Sequence, residues 1–183
     1  MNQSACAFTG HRPCKFPWKA DESDPRCAAL KAVLKEEISA LADAGVTCFY
    51  SGCADGTDAW ASLILLSLRE KNSALRLHCV LPHEGQADKW DDFARDRYHF
   101  ILEQADSVEY VSREYYDGCM IDRNHRMVEA AGILLAVYNG TQRSGTGATV
   151  RYAERQGKEI FIIDPISRAI THSFRKPPEL RQE

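Results

Sequence analysis

Strand-like and helix-like segments alternate along this chain from one end to the other, and no other feature of the sequence limits the fold so tightly. Short apolar runs, each followed by a segment of helical period, pair in parallel and need helices on both faces of the sheet. The first run is "ACAF" (5–8), ending at Thr9-Gly10. Asp24-Pro25 then predicts a helix start, with a capping carboxylate followed by a proline whose missing N–H does no harm. Leu30, Val33, Leu34, Ile38, Leu41 and Ala42 follow the helical spacing, and Gly45 supplies the stop. "VTCFY" (46–50) is the second strand and precedes an almost wholly apolar helix over about 57–71. "LRLHCVL" (75–81) alternates like a strand and ends at Pro82. Trp90, Phe93, Ala94, Tyr98, Ile101, Leu102 and Ala105 then mark an amphipathic helix. "SVEYV" (107–111), a helix over about 122–131, "ILLAVY" (133–138), a helix over 146–157 and "EIFIID" (159–164) complete the pattern.

Six strands interleaved with helices predict an α/β fold: a single doubly wound, mostly parallel sheet with helices on both faces. No internal repeat or linker interrupts the pattern, so residues 1–175 are expected to form one domain, with 176–183 as a frayed tail. A length of 183 residues suits one domain with a substantial core.

Charge and composition narrow the function. The formal net charge is −3, and no long basic run is present, which argues against nonspecific nucleic-acid binding. A small anion met by a local group of donors remains open. No apolar stretch approaches the ~20 residues of a membrane span, and "MNQSACAFTGHRP" does not read as a signal peptide. The chain is therefore expected to be cytoplasmic, with no membrane partner. Its seven cysteines are odd in number and form no CxxC pair. His11 and Cys14 alone do not make a metal site, so neither metal nor cofactor is expected. The apolar helix 57–71 is a possible homodimer surface.

In doubly wound folds the ligand lies beyond the carboxyl ends of the strands, where the strand order reverses. The small polar residues fall on that edge: "TGHRP" after the first strand, "SGCADGTD" after the second, "YNGTQRSGTGAT" after the fifth. Two of these stretches open helices, whose free N–H groups and partial positive charge suit an anion. Gly140, Ser144, Gly145, Thr146 and Gly147 make a credible phosphate cradle; Ser51, Gly52, Gly56 and Thr57 are its counterpart on the neighbouring loop. Arg12 is placed to supply a charged fork, and His11 a ligand contact. No GxxxxGK(S/T), GxGxxG or GxSxG motif occurs at these turns, which excludes a Walker-type NTPase, a conventional dinucleotide dehydrogenase and an α/β-hydrolase.

"TGHRP" (9–13), "SGCADGTDAWA" (51–61), "RNHRMV" (123–128) and "AVYNGTQRSGTGATVRYAERQGKEIFII" (136–163) together resemble the YpsA-like branch of the SLOG superfamily, which also contains the LOG hydrolases and the DprA/Smf proteins. The resemblance covers most of the chain. It implies a Rossmann-like fold and a nucleotide-type pocket involving Gly10, Arg12, Gly52, Gly56, Asp58, Arg123, Asn124, Gly145 and Thr146. The LOG motif PGGxGTxxE places a catalytic glutamate after the threonine, whereas Thr146 is followed here by Gly147, Ala148, Thr149 and Val150. Arg123 and Met127 match the LOG RxxxM pattern, so a phosphate-binding arginine is kept while that carboxylate is missing.

Three functions follow, in order. The first is binding or sensing of a nucleotide-derived small ligand, of the ADP-ribose or nucleoside-phosphate type. The second is a nucleotide N-glycosidase of LOG type, using Arg123 with Asp55, Asp58 or Glu84 as the acid. DprA-like handling of single-stranded DNA ranks third, on the charge. Asp55 and Asp58 also fit a helix cap and a first helical turn. Trp18 and either Tyr115 or Tyr116 are candidates to cover or line a pocket, His83 lies like His11 at a strand carboxyl end, and the charged run "DKWDDFARDR" reads as a solvated helix face.

Overall fold

The computed structural model describes residues 5–174; the expected tail at 176–183 lies outside them. Its strands are β1 (Ala5–Gly10), β2 (Cys48–Ser51), β3 (Arg76–Leu81), β4 (Ser107–Tyr110), β5 (Ile133–Val137), β6 (Glu159–Ile163) and β7 (Ile170–Phe174). Its helices are α1 (Pro25–Asp43), α2 (Thr57–Arg69), α3 (Asp92–Gln104), α4 (Cys119–Ala130) and α5 (Gly145–Arg155). The seven strands form one sheet in the order β4-β3-β2-β1-β5-β6-β7. All neighbours are parallel except β6 and β7.

The central strands show why the sheet is covered twice. Along β1, Cys6 and Phe8 enter one core with Leu30, Leu65 and Ile101, while Ala5 and Ala7 enter the other with Met127, Val150 and Ala153. The same period of two splits β5 into Ile133, Leu135 and Val137 on one side and Leu134 and Ala136 on the other. Helices α1, α2 and α3 cover the first face, and α4 and α5 the second. Small residues (Ala5, Ala7, Ala136) face α4 and α5.

Two features depart from the sequence reading. The first is β7, an antiparallel strand that periodicity does not reveal. It is built as a hairpin on β6: Asp164 Oδ1 accepts from the N–H groups of Ile166 (2.9 Å) and Ser167 (2.7 Å), and Arg168 turns the chain at φ 61°. His172 then stacks on Phe161 with ring centroids 4.3 Å apart. The second is α3, which starts at Asp92 with Asp91 as its cap, leaving Trp90 in the preceding loop and Phe93 70% exposed. Nor is its charged run simply solvated. Arg97 pairs with both Glu22 and Asp55 and ties the loop after β1 to α3.

Candidate functional site

Strand β1 lies between β2, reached on one side, and β5, reached on the other, so the direction of winding reverses at the β1–β5 pair. Gly10 pairs with Val137 at the carboxyl end of both strands. The loops leaving them must separate, one toward each face, and a cleft of about 380 Å³ opens where they part. It is floored by Thr9 and Gly10 and walled by the loops after β1, β2 and β5 and the first turns of α4 and α5.

Nine of the expected ligand residues line this cleft: Gly10, His11, Arg12, Asp58, Arg123, Asn124, Ser144, Gly145 and Thr146. Ser51, Gly52, Gly56, Thr57 and Gly140 do not. Their local geometry explains what they do instead. Ser51 is fully buried, with its hydroxyl engaged by Cys53 N–H (3.1 Å) and Ser62 (2.8 Å). Thr57 donates its hydroxyl to His11 O at 3.0 Å, and a Cβ on Gly10 would collide with the Thr57 side chain. Gly56 holds φ +92°, and a Cβ there would lie 2.8 Å from Pro13 Cδ. Thr57 and Gly56 thus fasten the loops after β1 and β2 to one another, while Ser51 ties the end of β2 to α2.

Gly52 differs in what crosses it. The Arg123 guanidinium lies directly over its α-carbon, where any side chain would overlap it, and Nη1 donates to Gly52 O at 2.5 Å. Gln86, which no sequence pattern singles out, donates to the same oxygen at 3.1 Å. Arg123 and Asp58 are both buried, at 4% and 5% exposure, yet both reach the cleft. Burial raises the Asp58 pKa, against the pull of the nearby Arg123 charge, a backbone hydrogen bond from Ala54 and the Arg12 charge. Burial likewise lowers the Arg123 pKa, against the attraction of Asp58. Each group is desolvated more than its partner repays.

The α5 end of the cleft is a capped helix start. Ser144 caps the helix by accepting from Gly147 N–H at 3.0 Å, and donates its own hydroxyl to Thr141 O at 2.8 Å. Gly145 has open space where a side chain would be, so its backbone is bare to the cleft. Asn124 donates to Thr149 Oγ1 at 2.9 Å and so joins α4 to α5. His11 is buried and donates Nε2–H to Asn139 Oδ1 at 2.8 Å, across the β1–β5 divide. Thr141 also donates to that oxygen, through its N–H (3.1 Å) and hydroxyl (2.7 Å).

Lys15, Met120, Asn139, Thr141 and Arg143 line the cleft without having been singled out from the sequence. The stretch "YNGTQRSGTGAT" does mark three of them, through its small polar residues at a strand end. Of the acids considered for catalysis, only Asp58 lines the cleft. Asp55 is bound to Arg97 outside it, and Glu84 is exposed in the loop after β3. Trp18 is buried and stacked flat on Phe16, with centroids 5.0 Å apart, so it belongs to the core and not to the pocket. Among the described residues, no group of three or more His, Cys, Asp or Glu side chains is placed to hold a metal. No described helix is long and apolar enough to cross a membrane.

Sheet order, helix placement and a crevice at the reversal point define a Rossmann-like α/β protein of SLOG type. The chain belongs to the YspA SLOG family (YpsA), whose model matches residues 6–167. It is 28% identical over 151 residues to a UPF0398 protein of Bacillus pumilus, covering 81% of this chain and 80% of that one. A UPF0398 protein of Halalkalibacterium halodurans is 29% identical over 137 residues, with coverage of 73% and 72%. Among solved structures, DNA processing protein A (DprA) from Streptococcus pneumoniae superposes with a TM-score of 0.58 at 16% identity, over 89% of this chain. The chain spans about half (53%) of that larger protein, and the likeness is one of fold.

Proposed function

We propose that this protein binds a nucleotide-derived small molecule, of the ADP-ribose or nucleoside-phosphate type, with its phosphate at the α5 end of the cleft. One observation carries the reading. Arg12, Lys15, Arg123 and Arg143 surround the cleft with Asp58 as the one carboxylate among its lining residues, in a chain whose net charge is −3. A local surplus of cations against the charge of the whole molecule is what an anion site requires. The bare Gly145 backbone at a capped helix start adds donors aimed at the same place.

The alternative is hydrolysis of a nucleotide N-glycosidic bond, and Asp58 is the observation that favours it. A carboxylate buried beside Arg123 and facing the cleft is the group such a reaction would use against positive charge developing on the ribose. Binding alone asks less of the site, because the glutamate position after Thr146 holds no acid.

Thermal unfolding against AMP, ADP, NAD, ADP-ribose and their guanine counterparts tests both. A ligand at ~100 times its dissociation constant adds about 2.7 kcal/mol, a rise of several degrees for a domain of this size. A shift with one compound supports the pocket, and release of free base from that compound would support the enzyme. A flat response across the panel removes the nucleotide reading.

A further inference from the structure

On the other side of Met120, on the first turn of α4, lies a second hollow of about 640 Å³ between the loops that follow β3 and β4. Met120 lines both, and the two share a wall. Gly52 O, which receives Arg123 from the first side, receives Gln86 from the second at 3.1 Å, and Gln86 also reaches Cys53 O at 3.4 Å. One carbonyl after β2 therefore anchors a lining side chain of each space, Arg123 of the first and Gln86 of the second.

Their chemistry differs. The first has four cations and one carboxylate; in the second, Lys89 and Arg113 are matched by Asp88 and Glu114. What the second offers is aromatic surface from His83, Trp90 and Tyr115. These rings are held by their neighbours. Tyr115 donates its hydroxyl to Asp117 at 3.1 Å and meets His83 edge-on, with centroids 5.6 Å apart. Trp90 is set edge-on against the buried Tyr98 at 5.4 Å. Rings fixed in this way offer contact area at little entropic cost. A hollow without charge surplus, walled by such rings and edged with donors and acceptors, suits a flat heteroaromatic ring. The first hollow already has the volume of a small-ligand pocket, so the second provides for an additional group.

We propose that the two hollows are subsites of one site, the first for a nucleoside phosphate and the second for an additional heteroaromatic ring, so that the ligand is of the dinucleotide class and not a nucleoside monophosphate. This rests on the phosphate-binding reading above and extends it.

Calorimetric titration of AMP and NAD into the wild type, Tyr115→Ala and Arg12→Ala separates the two ideas. Tyr115 is 63% exposed, so its truncation leaves the core intact. The expected result is that NAD binds the wild type about tenfold or more tightly than AMP, from the added stacking. Tyr115→Ala should abolish that advantage with AMP unchanged, and Arg12→Ala should weaken both. Equal affinity for AMP and NAD, or an NAD affinity indifferent to Tyr115→Ala, overturns the second subsite and leaves the phosphate site standing. Absence of binding by either compound overturns both.

Discussion

Arg123 and Gly52, 71 residues apart in sequence, form a single unit: the guanidinium occupies the space a side chain on Gly52 would fill, and donates to its carbonyl oxygen at 2.5 Å. Gly52 is thus a glycine because a buried arginine crosses it. Gly52→Ala should force Arg123 aside and lower stability by about 1–3 kcal/mol, as overpacking generally does. It should also reduce nucleotide affinity, because Arg123 lines the cleft. Urea unfolding midpoints would check the first effect; an unchanged midpoint would mean that Arg123 relocates freely.

Arg12 is exposed at the rim of the same cleft. Arg12→Ala is expected to leave the unfolding temperature of the ligand-free protein unchanged. Affinity for a phosphate-bearing ligand should fall about tenfold or more, given the ~1.5–3 kcal/mol of a hydrogen bond to a charged group. An equal loss of stability would move Arg12 from the ligand to the scaffold.

Asp58 gives the site a pH dependence of definite sign. Burial raises its pKa, so the folded protein holds this proton more tightly than the unfolded chain does. Its effect on stability is absent well below the ordinary aspartate value of ~3.9 and grows unfavourable as pH rises through the raised folded value. Asp58→Asn should therefore gain on the wild type as pH rises above the ordinary aspartate value of ~3.9. Chemical denaturation across that range would show it, and a constant difference between the two proteins would contradict it.

Glu22 acts in the opposite sense. Burial disfavours its charge, but hydrogen bonds from Arg97, Lys31 and Trp60 outweigh burial and hold its pKa at about 2, against an ordinary 4.5. Its contribution is present above 4.5 and is lost as pH falls toward 2. Glu22→Gln should cost about 2 kcal/mol near neutrality, since it weakens charge-assisted hydrogen bonds to Arg97 and Lys31. The gap between variant and wild type should close in acid, and a gap of constant size would show that the charge is immaterial.

Ser144 uses its hydroxyl as a cap, so Ser144→Ala should lose about 1 kcal/mol. If anion affinity falls with it, the α5 terminus must be ordered before it binds; unchanged affinity would show the bare Gly145 backbone to be sufficient.

The sequence by itself determined the order of β1 to β6 and α1 to α5, because hydrophobic period is a local property and each buried strand or helix face repeats it. It also marked the edge of the sheet where the cleft opens, since glycine-bearing polar stretches follow β1, β2 and β5. Arg12, Gly145 and Thr146 were legible as cleft residues for that reason, and Arg123 through the family resemblance carried by "RNHRMV". Only the tertiary structure decided which residues of those loops face the cleft and which bind the loops together. "SGCADGTD" looks like a ligand cradle, yet Ser51, Gly52, Gly56 and Thr57 serve contacts with Ser62, Arg123, Pro13 and His11. Those partners lie up to 71 residues away in sequence, and nothing in a local pattern records a neighbour brought in by folding. The same limit hid β7, whose pairing depends on the β6 edge, and Gln86, whose role depends on a carbonyl 34 residues distant. Periodicity reports what faces a core; close approach between loops is decided only when the sheet has brought their strand ends side by side.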